Sequence, residues 1–264
     1  MQISYDDLTK RNLGIFTKFE QKKLKQSTVA IAGVGGVGGL AVERLARLGI
    51  GHLKIADPEN FDPTNLNRQY ASNSKNIGKN KAKEVGKSIK DINPSVKIDI
   101  YNKGISHENL KDFLKKADII IDGLDISVPV DLRIALHKLA QKNNLYIVTA
   151  NAIGFGSTLQ VFSPKGLSLE QFIGSDKKTH FMPVEKMCPM PPDYVPQDTA
   201  KKIISGTQEY MPTISVGCAV ASSLMVTEVV NILLKKKKPI VVPKVVAVDL
   251  LSKKIQVFDF KEKK

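Results

Sequence analysis

The sequence predicts an α/β fold: a Rossmann-like, mostly parallel sheet flanked by helices, with an antiparallel extension from its C-terminal strands. Three observations predict it. Short, β-branched apolar runs alternate with helical periodicity five times between residues 27 and 151, the pattern of a parallel sheet covered on both faces. The first of these runs opens directly into a glycine-rich turn, Gly33-Val34-Gly35-Gly36-Val37-Gly38-Gly39. The stretch KVVAVDLLSKKIQVFDF at 244–260 reads as two strands in a hairpin.

The elements follow in order. Residues 8–26, polar with spaced apolar positions and no proline, predict a helix. STVAIAG at 27–33 is almost wholly apolar, as a strand buried on both faces should be. LAVERLARLGI continues the glycine turn at helical spacing, and GHLKIAD is a second strand ending in Asp57. KNKAKEVGKSIKDI predicts a helix that stops before Asn93-Pro94, because proline disfavours a helical residue ahead of it. VKIDIY, DIIIDGLD and LYIVTAN supply three more strands, separated by helices over HENLKDFLKKA and VDLRIALHKLAQKN. STLQVFSP is a strand of partial alternation. Residues 164–212 hold many of the prolines and show no period, which predicts a long, partly mobile loop. TISVGCAVASSLMVTEVVNILL then reads as an apolar helix. One domain is expected over 1–264, divided into an N-terminal helical segment (1–26), a nucleotide-binding core (27–163), a crossover or substrate loop (164–212) and a closing helix with strands (213–264).

Composition narrows the class. With 42% apolar residues in 264, the chain has enough to build a substantial core. No window holds eighteen consecutive apolar residues and the N-terminus has no apolar leader segment, so the expectation is a cytoplasmic protein with no membrane partner. Two cysteines, Cys188 and Cys218, are too few for a disulfide framework. The net charge of +14 comes from lysines scattered along the chain. The plain reading is a solvated basic surface; an anionic nucleotide or an acidic partner comes next, and nucleic acid is a further reading.

Gly33, Gly35 and Gly38 fit G-x-G-x-x-G between a strand and a helix, where bare backbone lets phosphate oxygens reach N–H groups at a helix N-terminus. Asp57 ends the next strand, placed to accept hydrogen bonds from ribose hydroxyls. Taken alone, these features suit an NAD-dependent dehydrogenase. Two others favour a nucleoside triphosphate: the doubled Gly35-Gly36, and the polar block after Asp57. That block brings Asn65, Asn67, Arg68, Lys79 and Lys81, donors and charges suited to β- and γ-phosphates.

GVGGVGG, RLGIGHLKIAD, NLNRQ, IGKNKA, INP and ADIIIDGLD, in this order and spacing, resemble the ubiquitin-activating-enzyme-like family, also called ThiF/MoeB/HesA. The resemblance runs from about Arg11 to Phe162, weakens over 164–212, and returns near 213–234 and in the closing strands. It implies ATP- and Mg²⁺-dependent adenylation of the C-terminal carboxylate of a small ubiquitin-like or sulfur-carrier protein ending in Gly-Gly. It further implies that Gly33, Gly35, Gly36 and Gly38 shape the phosphate turn, Asp57 holds ribose, Asn65 and Arg68 contact phosphates, Lys81 sits over the α- or β-phosphate, and Asp125 binds Mg²⁺. Arg11 stands where the family has an arginine that enters a neighbouring subunit's site, which implies a homodimer. Cys188, with Lys186 near in sequence, lies where some members carry a cysteine that takes over the activated carboxyl as a thioester or persulfide. Many relatives hold structural zinc on two C-x-x-C pairs; neither pair is present, and no zinc is expected.

Alternatives remain at this level. Asp57 could cap a turn, Asp122 could orient neighbouring amides, and the four histidines have no clustering that suggests catalysis. The carboxyl could belong to a peptide or a modified tRNA nucleoside, or the chain could be a non-catalytic subunit. For an extended tail, Phe181, Met182 and Tyr194 are candidate apolar contacts.

Overall fold

The alternating periods of the first half fold into a parallel sheet, seen here in a computed structural model that describes residues 3–174 and 184–261. Its strands are β1 (Thr28–Ala32), β2 (His52–Ala56), β3 (Lys97–Tyr101), β4 (Ile119–Asp122) and β5 (Tyr146–Ile153). β6 (Gly156–Phe162), β7 (Lys244–Asp249) and β8 (Lys254–Asp259) add on antiparallel, giving one eight-stranded sheet in the order β3-β2-β1-β4-β5-β6-β7-β8. β1 pairs with β2 on one side and with β4 on the other, so the chain reverses its winding direction at β1. In open α/β sheets the crevice at such a switch, beyond the strands' C-terminal ends, is where ligands bind.

The helices are α1 (Tyr5–Thr9), α2 (Lys18–Gln26), α3 (Gly36–Arg47), α4 (Lys81–Ile92), α5 (Leu110–Leu114), α6 (Val130–Lys142), α7 (Leu169–Ile173), α8 (Val184–Met187), α9 (Gln197–Ile204) and α10 (Ser215–Leu234). All five β1 residues are buried, and their alternation divides two cores. Val29 and Ile31 face a cluster built from α2, α3, α4 and α10, including Leu45, Val85, Ile89 and Met225. Ala30 and Ala32 face a second cluster, with Phe113, Leu136, Phe162 and Phe172, under α5, α6 and α7. α10 has a mean hydropathy of 1.7 over a membrane-spanning length, but it lies on the sheet, packed against α3, β5 and β6.

Three expectations are corrected. The helix expected over 8–26 is broken: α1 passes into a 3₁₀ turn at Lys10–Asn12, and the chain restarts as α2. Gly14 turns the chain at φ +106°, and Thr17 and Glu20 form a capping box that starts α2 afresh. The helix over 107–117 shrinks to the five residues of α5. Residues 164–212 are not one loop but carry α7, α8 and α9.

That crossover is pinned to the sheet. The Thr158 hydroxyl donates to the Met187 carbonyl at 2.9 Å, and the Gln160 amide donates to the Lys186 carbonyl at 3.2 Å. Further along, the Tyr194 hydroxyl accepts from the Phe155 N–H at 2.8 Å and donates to Asp249 at 2.9 Å. Tyr194 thus ties the crossover to the start of β6 and to β7 through its hydroxyl, while Phe181 and Met182 lie outside the described residues. Strand β2 also carries a buried lysine: Lys54 donates to the carbonyls of Asp112 at 2.5 Å and Lys115 at 3.2 Å, capping the C-terminal end of α5.

Candidate active site

At the switch point the C-terminal ends of β1, β2, β4 and β5 surround a cleft of about 470 Å³. The glycine turn forms one wall. Gly33 takes φ +85°, and a β-carbon on it would stand 2.3 Å from the Gly123 carbonyl oxygen. One on Gly38 would stand 2.0 Å from the Gly33 carbonyl oxygen, so these glycines let the turn, α3 and the loop after β4 touch backbone to backbone. Gly36 faces the Cys218 sulfur, where a β-carbon would lie at 2.9 Å. Gly35, the residue ahead of α3, is different: its side-chain position is open, with Gln69 Nε2 nearest at 3.8 Å. The free N–H groups at the start of α3 thus border open space, as anion binding requires.

Asp57, buried at the end of β2, accepts from the Val34 N–H at 3.0 Å and the Glu59 N–H at 2.9 Å. Burial pushes its carboxyl above the ordinary value; the Glu59 and Val34 N–H groups and the Lys81 ammonium oppose that shift. Asp57 therefore does what a turn-capping acid does and also lines the cleft. Beyond it the polar block folds back over the turn. Asn65 is buried, its side-chain oxygen accepting from the Asp62 N–H, and its side-chain amide makes no hydrogen bond among the described residues. Arg68 lies against Gly36 and donates to the Thr64 carbonyl and to Asn67, with no carboxylate partner among the described residues. Lys81, at the start of α4, is 4% exposed and pairs with Glu59 at 2.5 Å.

The opposite wall is the loop after β4. Asp125 is exposed there and lines the cleft, one carboxylate oxygen accepting from the Ser127 N–H at 3.0 Å. Asp122 is buried beneath it, 3.0 Å from His137 Nε2 and 3.2 Å from Arg133 Nε, while it accepts from the Leu124 N–H. Burial would raise the Asp122 carboxyl, but Arg133 and His137 outweigh it and hold the group below the ordinary range.

The structure thus brings Gly33, Gly35, Gly36, Asp57, Asn65, Arg68, Lys81 and Asp125 to one cleft, with Gly38 packed behind the turn. Two named residues lie elsewhere. Arg11 is exposed in the 3₁₀ turn after α1 and does not line this cleft. Cys188 follows α8, also off the cleft, and burial pushes its thiol up to about 11. Lys186, expected to favour its thiolate, instead donates to the Phe172 carbonyl and lies over the Phe172 ring.

Residues 9–264 match the ThiF family. The chain belongs to that family. It is 34% identical over 141 residues to the tRNA threonylcarbamoyladenosine dehydratase of Haemophilus influenzae, an overlap of 53% of this chain and 53% of that one. To the sulfur carrier protein ThiS adenylyltransferase of Escherichia coli it is 31% identical over 144 residues, 54% of this chain and 56% of that one. The matched stretch thus spans about half the length of these curated relatives. Among solved structures, E. coli MccB with ATP superimposes with a TM-score of 0.70 at 20% identity, covering 98% of this chain and 73% of that one. PaaA gives 0.72 at 18% identity, covering 98% and 74%. At that identity the likeness is one of fold.

In this ThiF-family chain, sequence reasoning passed over four cleft residues. Gln69 follows Arg68 in the NLNRQ stretch; its buried side-chain oxygen has no partner among the described residues, and adjacency to Arg68 was the available signal. Arg133 and His137 sit in an ordinary amphipathic helix pattern, where nothing marks them. Cys218 reads as a buried small hydrophobe; it is buried, and burial lifts its thiol to about 11 with Arg68 pulling the other way, but it also forms the cleft floor under Gly36.

Proposed function

We propose that the chain adenylates a carboxylate at the expense of ATP, the substrate being the C-terminus of a small ubiquitin-like or sulfur-carrier protein that ends in Gly-Gly. One observation carries this reading: an open helix N-terminus at Gly35, two cations, a buried ribose-side acid and an exposed carboxylate border a single cleft. In this reading the N–H groups at the start of α3, with Asn65 and Arg68, hold the phosphates, and Asp57 accepts from ribose. Lys81 faces the α- or β-phosphate, with Glu59 holding its ammonium in place. The attacking carboxylate oxygen forms a bond to the α-phosphorus as the bond from that phosphorus to the bridging oxygen of pyrophosphate breaks. The nucleophile is already ionised at neutral pH, so no base is needed. The catalytic demand is to offset anion–anion repulsion and the charge building on pyrophosphate, which Arg68 and Lys81 answer.

The donor set suits a hard divalent cation. Asp125 offers an exposed carboxylate with one oxygen uncommitted among the described residues, and Mg²⁺ is commonly held by one or two carboxylates together with substrate phosphates. Bound there, Mg²⁺ would neutralise phosphate charge. Arg11 would complete the site of a second subunit in a homodimer. Among the described residues no three His, Cys, Asp or Glu side chains group as a metal site.

A second reading keeps the chemistry and moves the carboxyl to a modified nucleoside in tRNA; the +14 charge and the name of the Haemophilus relative favour it. ATP–pyrophosphate exchange separates the two. Exchange that requires a Gly-Gly-ended carrier protein supports the first, and exchange that requires tRNA supports the second. Arg68→Ala should lower exchange by on the order of 10²–10³-fold with the fold intact; normal turnover in that variant would remove the assignment.

A further inference from the structure

We infer that Arg133 is a positioning residue for Asp125: it clamps the main chain of the loop after β4, so that the Asp125 carboxylate is presented to the metal–nucleotide complex. The inference rests on the reading of Asp125 as the metal ligand. Asp125 is exposed, and among the described residues its side chain makes one hydrogen bond, to the Ser127 N–H in the next turn. Its aim must therefore come through the backbone. That backbone is held at three points. Asp122 accepts from the Leu124 N–H at 3.1 Å, and one Arg133 nitrogen, Nη2, donates to the Leu124 carbonyl and to the Asp125 carbonyl, the latter at 3.1 Å. Arg133 is fixed in turn by its ion pair with Asp122, on the same carboxylate oxygen that His137 contacts.

The placement of Arg133 is hard to explain by helix stability. It lies four residues into α6, near the positive end of the helix dipole, where a cation is disfavoured. Its Nε, although 3.2 Å from Asp122, is buried without a well-aligned hydrogen bond. The guanidinium is held off its best geometry with Asp122 while its Nη2 engages two successive carbonyls of the loop. Such outer contacts commonly set metal affinity by orienting the ligand. The planar guanidinium meets the carboxylate through Nε and both carbonyls through Nη2, two donor atoms held apart in one plane, and a lysine, with a single nitrogen, is not an equivalent.

The experiment uses the full chain as Arg133→Met, Arg133→Lys and Asp125→Asn. Two quantities are read on each: ATP binding in EDTA by calorimetry, and Mn²⁺ binding to the protein–ATP complex by the loss of the free Mn²⁺ electron-spin resonance signal. Arg133→Met should weaken Mn²⁺ binding by about tenfold or more while leaving metal-free ATP affinity near wild type. Arg133→Lys, which keeps a cation beside Asp122, should fall between, and it provides the decisive measurement if the methionine variant does not fold. Wild-type Mn²⁺ affinity in the Arg133 variants, with weakened affinity in Asp125→Asn, overturns the inference and leaves the metal reading standing. Unchanged affinity in Asp125→Asn overturns the metal reading, and this inference with it. An equal loss of metal-free ATP binding and Mn²⁺ binding in the Arg133 variants assigns Arg133 a general structural role and also overturns it.

Discussion

Gly33 and Gly35 lie two residues apart and should respond to alanine in opposite ways. At Gly33 the new β-carbon meets a carbonyl oxygen at 2.3 Å in a left-handed conformation. Left-handed strain alone costs about 1–3 kcal/mol, and the clash adds to it, so Gly33→Ala should lower the melting temperature sharply. At Gly35 the β-carbon meets nothing nearer than 3.8 Å and projects into the cleft. Gly35→Ala should therefore melt as wild type but lose ATP affinity, a split that calorimetry and thermal melting read directly. Two of the buried aspartates, Asp57 and Asp122, oppose each other in pH. Asp122 is held below its ordinary value, so its contribution to stability is complete above about pH 4 and is lost as pH falls through the lowered value. Asp57 is raised, so its ionisation weakens the fold as pH rises through that raised value, and the penalty disappears in acid. Asp122→Asn should flatten the acid limb of a melting-temperature profile below about pH 4. It should also cost about 3–5 kcal/mol near neutrality, because Arg133 would lose its buried partner. An acid limb identical to wild type would contradict the pairing.

The elements show where sequence periodicity suffices and where it does not. The five parallel strands and the helix after the glycine turn were legible because each buries a face against its neighbours, and burial writes the period. The break at 13–17 was masked because Leu13, Ile15 and Phe16 read as the spaced apolar positions of one continuous helix, although the Thr17-x-x-Glu20 box that restarts α2 was present in the sequence. Lys54 was not legible as a cap. A lysine in a buried strand makes sense only once α5, nearly sixty residues later, brings its open carbonyls to it. Lys54→Met keeps the apolar stem and should lose about 1.5–3 kcal/mol, the range for hydrogen bonds to a charged group; hydrogen exchange should rise first in α5. The crossover offers a second test. Tyr194→Phe removes both hydrogen bonds that tie it to β6 and β7, and should speed proteolysis within 184–212 while leaving exchange activity nearly intact.

Across the whole molecule the cleft draws on the ends of four strands and on the helices that follow β1, β2 and β4, and its legibility differed accordingly. Residues in the glycine turn and the polar block were found because several unusual residues fall close together. Arg133, His137 and Asp122 form one network only through the β4–α6 connection, and Arg11 does not line this cleft within its own chain. That last point has a direct measurement. In a homodimer with shared sites, Arg11→Ala and Lys81→Ala should each be inactive, yet mixing and reassociating them should restore about a quarter of wild-type exchange through one intact site per mixed dimer. No recovery would place Arg11 outside the reaction. The position of α10 bears on anyone who edits the gene. Every phosphate-side residue named here precedes Ile126, which invites trimming the protein to its first 162 residues. Such a fragment would strip Met225, Val226 and Val229 from the sheet and Cys218 from beneath Gly36. The half that bears the cleft cannot be excised as a portable module, because its back wall is encoded last.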